Sequence, residues 1–326
     1  MTAGRELVDI RSRVDPEVTA AMTASTVDFH GLGPETLAEV REATARRQHR
    51  PADPTAPVVH TDVPIGGEPA TTVRVHRRRE ASGPAPAIFW IHGGGYVMGE
   101  AAGDDGRFDQ WCDQLGVVGV SAAYRLSPEA SYPAPLDDCL AGFEWMMAHT
   151  DELGIDRDRV GIGGRSAGGG LAAGLVLLLR DRGRRDVRFQ ILIHPMLDDR
   201  MDTESARWDD PMWPPPANRF GWRAYLGPLA DGDVPAYAAA ARAVDLRGLP
   251  PTYLSVGGLD AFSDSVLAYA SRLRHAGVST DLHVFADVPH GFDSLAPATS
   301  VARRANAALD GWLLARLERL TAGSES

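Results

Sequence analysis

No lysine occurs among the 326 residues; all 33 basic side chains are arginine, against 44 acidic ones. That absence excludes a P-loop lysine, a Schiff-base lysine and a Ser–Lys dyad. Cysteine is almost as scarce. Cys112 and Cys139 cannot build a thiol-rich zinc site, and a disulfide framework is implausible at this length. Positive charge is in deficit, with a formal net charge of −11, which disfavours nucleic acid and anionic membrane surfaces as partners. Long apolar runs are missing too. The longest, residues 171–179, is broken by Gly174 and is too short for stable insertion in a membrane. The opening stretch "MTAGRELVDIRSRVDPEV" has no apolar core of a signal peptide, so a cytoplasmic protein is expected.

Apolar residues still make up 44% of the chain, enough for a sizeable core. Residues 16–48 read as helical, with Pro34 in a first-turn position after Gly33. Residues 50–56 read as a linker. Residues 58–65 and 71–77 alternate as in a half-exposed antiparallel pair. Short apolar runs follow at 85–92, 117–124, 159–164, 187–194, 251–258 and 280–287. Helical patterns lie around 134–149, 166–180, 263–276 and 300–319. This alternation predicts an α/β fold with a mostly parallel sheet covered on both faces. Residues 200–235 break the rhythm and crowd together Trp208, Met212, Trp213, Phe220, Trp222 and Tyr225. Such aromatic area suits a cap over a site, or simple packing of the insertion onto the domain.

The stretch "GIGGRSAGGG" at 161–170 has two readings. Gly168, Gly170 and Ala173 fit a dinucleotide-binding turn, but they sit inside the candidate helix and past the middle of the chain. Gly164-Arg165-Ser166-Ala167-Gly168 fits G-x-S-x-G between a strand and a helix. That turn presents Ser166 as a nucleophile; the plain alternative is an N-capping serine. "HGGG" at 92–95 supplies consecutive glycines whose N–H groups can face a substrate oxygen, with His92 orienting the loop. Asp260 and His290 follow two later strands in the order that a Ser–acid–His set requires. Asp264 competes with Asp260, and His194 with His290. No His/Asp/Glu spacing suggests a metal site, and no cofactor is expected.

These motifs, with "YRLSPE" at 124–129, "YPAPLDDC" at 132–139, "LDAFSDS" at 259–265 and "PHGF" at 289–292, resemble the bacterial hormone-sensitive-lipase-like family of α/β-hydrolase carboxylesterases. The likeness spans roughly residues 57–320. It implies an α/β-hydrolase fold at 51–326 with Ser166, Asp260 and His290 as nucleophile, acid and base. It implies an oxyanion hole from the N–H groups of Gly93, Gly94 and Ala167. It implies a cap from residues 1–50 and 200–235, with short- to medium-chain acyl esters as substrates. Dimerisation through an edge strand is common among members. Tyr96, Trp213 and Phe292 are expected in the pocket lining. Arg165 stands where the family usually has Asp or Thr, and a structural ion pair with a nearby carboxylate is expected of it. Lactone or amide hydrolysis, acyl transfer, or a non-catalytic receptor on the same scaffold are the alternatives.

Overall fold

Strand formation follows the β-branched and aromatic runs. In the computed structural model, which describes residues 6–23, 27–48, 53, 55–66, 71–80 and 83–324, ten strands form two sheets. They are β1 (Val8–Asp9), β2 (Val58–Ile65), β3 (Thr71–Arg78), β4 (Ala85–Ile91), β5 (Val118–Ala123), β6 (Ile155–Arg165), β7 (Phe189–Ile193), β8 (Trp208–Asp209), β9 (Thr252–Gly257) and β10 (Thr280–Phe285). The main sheet has the order β10-β9-β7-β6-β4-β5-β3-β2. From β10 through β5 every pairing is parallel; β3 joins β5 and β2 antiparallel.

The two halves of this sheet differ in burial as their hydrophobic patterns predict. β4 is buried along nearly its whole length because helices cover both faces. β2 mixes buried and exposed positions. The helices are α1 (Pro16–Thr23), α2 (Leu37–Gln48), α3 (Asp105–Leu115), α4 (Ala134–Ala148), α5 (Thr150–Leu153), α6 (Ala167–Asp181), α7 (Pro215–Leu226), α8 (Ser263–His275), α9 (Phe292–Leu295) and α10 (Ser300–Ser324). Among the described residues no helix is long and apolar enough to cross a membrane.

The stretch expected to be helical, 16–48, holds α1 and α2, with turns over residues 27–36. Asp28 accepts the N–H of His30, and the Thr36 hydroxyl accepts the N–H of Gly33 while donating to the carbonyl of Gly31. These local bonds compete with helix formation. Leu37 N–H then bonds to Gly33, opening the first turn with Pro34 inside it. The expected 50–56 linker falls largely outside the described residues.

The N-terminal elements and the 200–235 insertion meet one another. β1 pairs parallel with β8, Val8 opposite Trp208 and Asp9 opposite Asp209. Phe29 packs on Trp213 with ring centroids 5.7 Å apart. The crowded aromatics divide their work. Trp222 and Tyr225 of α7 pack on Tyr96 at 5.2 and 4.0 Å, whereas Trp213 faces a cavity.

Candidate active site

β6 runs into α6 through Ser166 alone, at φ 55° and ψ −123°. A non-glycine residue there is strained by ~1–3 kcal/mol, which the surrounding fold must impose. Its neighbours show how. A Cβ on Gly164 would lie 2.3 Å from the carbonyl oxygen of Gly168, and one on Gly168 would lie 2.0 Å from that of Ile91. Only glycine at both places lets the turn close this tightly.

Loops at the C-terminal ends of β9 and β10 bring two further groups to this turn. His290 Nε2 lies 2.9 Å from Ser166 Oγ, and His290 Nδ1 lies 2.8 Å from Asp260 Oδ2. All three residues are buried, Asp260 completely. Asp260 Oδ1 accepts the N–H of Phe262, so both carboxylate oxygens are engaged. Asp264 points elsewhere and accepts the N–H of Ser205. Burial opposes charge on the His290 imidazole, yet the adjacent Asp260, with Asp210 and Asp293 behind it, raises its pKa above the ordinary 6.5.

Asp210, which nothing in the motif pattern singles out, anchors the His290 loop. One of its oxygens accepts the N–H of His290 at 2.8 Å; the other accepts those of Met212 and Trp213. Burial and the neighbouring Asp260 push its pKa up to about 6, against the opposing pull of His290. A carboxylate beside a backbone turn was legible in "RWDDPMW", but its distant partner was not.

His194 lies beside His290, ring centroids 4.4 Å apart, but bonds Asp293 Oδ1 at 3.2 Å rather than the serine. Burial and the neighbouring His290 lower its pKa. It is therefore a neutral donor to Asp293. Burial resists ionisation of Asp293. The His194 bond, with Arg107 and Arg165 nearby, outweighs it and holds this carboxyl well below the usual range. Arg107 reaches the other oxygen of Asp293 at 3.2 Å. Arg165 pairs with Asp104 at 2.8 Å, the ion pair expected of it, while its side chain also borders the cavity.

The glycine loop after β4 sits against the serine. A Cβ on Gly93 would come within 3.2 Å of the Ser166 Cβ. His92 fixes this loop. Its Nδ1 lies 2.8 Å from the Gly93 carbonyl and its ring stacks on Tyr124 at 4.3 Å. Burial lowers the His92 pKa to about 4, so it is a neutral strut and not a proton carrier. Ala167 opens α6, where a backbone N–H has no intrahelical acceptor.

A cavity of about 450 Å³ opens over Ser166 and His290. Gly93, Gly94 and Trp213 line it, as do Val27, Phe29 and Met212. Tyr96 and Phe292, expected in the lining, are not there. Tyr96 has φ 66° and turns beneath the loop, onto Tyr225, with its hydroxyl on the Met196 carbonyl. Phe292 packs into a separate apolar cluster with Leu259 and Val288.

A serine raised on a strand–turn–helix elbow, over a sheet of this order, defines the α/β-hydrolase class. Residues 88–294 match a family described as α/β hydrolase fold. Esterase LipI of Mycobacterium tuberculosis is 34% identical over 68% of this chain and 70% of its own. Carboxylic ester hydrolase LipN of the same organism is 31% identical over 90% and 81%. Among solved structures, a bacterial heroin esterase superposes with a TM-score of 0.85 at 38% identity, covering 95% of this chain and 98% of that one. Esterase LipW of Mycobacterium marinum gives 0.85 at 35%, covering 94% and 96%. The chain belongs to this α/β-hydrolase family, in its hormone-sensitive-lipase-like branch, and is a carboxylic ester hydrolase.

Proposed function

We propose that Ser166, His290 and Asp260 form the catalytic triad and that short- to medium-chain acyl esters are the substrates. The observation that carries this is the unbroken hydrogen-bonded line from Asp260 through both nitrogens of His290 to Ser166. In this reading Ser166 Oγ attacks the ester carbonyl carbon as His290 Nε2 takes its proton. Asp260 fixes the tautomer and stabilises the imidazolium. The N–H groups of Gly93, Gly94 and Ala167 hold the oxyanion, each donor contributing several kcal/mol. His290 then protonates the departing alcohol. A water molecule, deprotonated by the same imidazole, attacks the acyl-enzyme, and Ser166 regains its proton as the acid leaves.

The apolar wall formed by Val27, Phe29, Met212 and Trp213 suits the acyl chain. These residues come from the N-terminal elements and the insertion, which supports assigning residues 1–50 and 200–235 to a cap. Edge strand β10 exposes Leu282 and Val284, which suits dimerisation through that strand. The acidic balance argues against nucleic acid as a partner, and two buried free cysteines suit a cytoplasmic location. Hydrolysis of p-nitrophenyl butyrate tests the reading. A folded Ser166→Ala variant is expected to lose activity by ~10³-fold or more; wild-type turnover in that variant would overturn it.

A further inference from the structure

A second cluster of histidines lies on the outer strand pair, outside the cavity lining. His60 of β2 and His76 of β3 stand directly opposite one another in the antiparallel register. Their Nδ1 atoms are 2.8 Å apart. Asp105, the first residue of α3, places Oδ1 3.7 Å from His60 Nδ1 and 3.6 Å from His76 Nδ1. Three donors with these separations share a point about 2.0 Å from each, the ordinary length of a zinc–nitrogen or zinc–carboxylate bond. We propose that His60, His76 and Asp105 bind a divalent transition metal ion of the zinc type.

The outer nitrogens of the two rings are arranged for that task. His60 Nε2 lies 2.9 Å from Asp109 Oδ1. An ionised carboxylate only accepts, so His60 carries its proton on Nε2 and turns a lone pair on Nδ1 toward the cluster. His76 Nε2 lies 2.8 Å from Ser121 Oγ, and Phe108 stacks on the ring at 4.2 Å, fixing its plane. Burial, with His60 and Arg74 nearby, keeps His76 neutral, the form in which imidazole ligates.

The carboxylate ligand is itself held in place. Arg74 bonds Asp62 and both oxygens of Asp105, which fixes the Asp105 carboxylate beside the two rings. Asp105 Oδ1 keeps a second lone pair beyond the one Arg74 uses. His76 is sealed, whereas His60 and Asp105 retain 17% and 11% side-chain exposure, so entry and a completing water come from their side. Two imidazoles and a carboxylate suit zinc, cobalt or nickel rather than magnesium or calcium. The ion would staple β2 and β3 to α3. On the same stretch of chain, Asp104 holds Arg165 and Arg107 holds Asp293.

The competing account is protonic. Ser121 donates to His76, His76 Nδ1–H to His60 Nδ1, and His60 Nε2–H to Asp109. The test uses full-length protein stripped with a chelator and titrated with Zn²⁺ by calorimetry, with Co²⁺ as a visible-absorbance probe. Wild type is expected to take up one ion at this cluster and to gain about 5 °C in Tm at saturation. His290→Ala is expected to keep this uptake and this gain, which separates the cluster from His194, Asp260 and His290, the other such grouping of ligand atoms among the described residues. His60→Ala is expected to abolish both. Asp105→Asn, which preserves shape, is expected to weaken binding at least ~10-fold. No saturable uptake, or uptake unchanged in His60→Ala and Asp105→Asn, overturns the proposal in favour of the proton chain.

Discussion

Two pairs of histidines, each accompanied by aspartates, occupy opposite characters of environment in one sheet, one fully buried and one half-open through His60. His290 and His194 stand at the C-terminal ends of parallel strands, beside a serine and an open cavity. His60 and His76 stand mid-strand in the antiparallel pair, with no nucleophile opposite Nδ1. The first pair points at different partners, one at Ser166 and one at Asp293. The second pair points its nitrogens at one another. Imidazole chemistry is the same in both; what differs is whether the backbone leaves space in front of the ring. Strand ends create that space because each chain departs into a loop. A cross-strand register instead sets one ring against the other.

The comparison breaks most sharply under substitution. His290→Ala is expected to cut kcat/KM for p-nitrophenyl butyrate by ~10⁴-fold or more, whereas His60→Ala leaves turnover near wild type. Equal losses in both would erase the distinction. Asp260→Asn should cost ~10⁴-fold, because the amide no longer fixes the imidazole tautomer. Asp210→Ala is expected to cost ~10–100-fold in kcat by leaving the His290 amide unpaired, a buried loss of ~1–3 kcal/mol. Steady-state kinetics with circular dichroism to confirm folding checks each.

A pH profile sharpens the same contrast at smaller amplitude. In the proposed mechanism His290 must be neutral to act as base, and its folded pKa lies above 6.5. The acid limb of kcat/KM should therefore fall as pH drops through a midpoint above 6.5. In Asp260→Asn the residual activity should titrate at lower pH, because the largest favourable charge is gone. A midpoint unmoved by that change would show that Asp260 does not set the base's pKa. The smallest effect is expected at the cavity wall. Trp213→Ala should leave the rate on butyrate esters within ~10-fold while changing chain-length preference across a panel of p-nitrophenyl esters. An unchanged preference would remove the insertion from the pocket.

The parts of this molecule governed by short-range rules were legible in the sequence. The β2–β3 alternation, the buried parallel runs and the glycine-flanked elbow each follow from a local steric or burial requirement. The order Ser, Asp, His along the chain pointed to side chains that do meet at bonding distance. What escaped depends on contacts between distant segments. Asp210 finds the amide of His290, and Asp293 finds Arg107. His60 and His76 meet through strand register, which no motif spacing encodes. Tyr96 was misplaced for a backbone reason, its positive φ directing the ring under the loop rather than over it. The non-helical turns before α2 rest on bonds from Asp28 and Thr36 that periodicity does not register.

The pairing of β1 with β8 carries a consequence for biosynthesis. On the ribosome, Val8 and Asp9 emerge long before Trp208 and Asp209 exist to receive them. Until then that ribbon cannot form, because its contacts are among the most distant along the chain. A nascent chain halted before β8 would carry Ser166 without Asp210, Asp260 or His290, all of which lie later in the sequence.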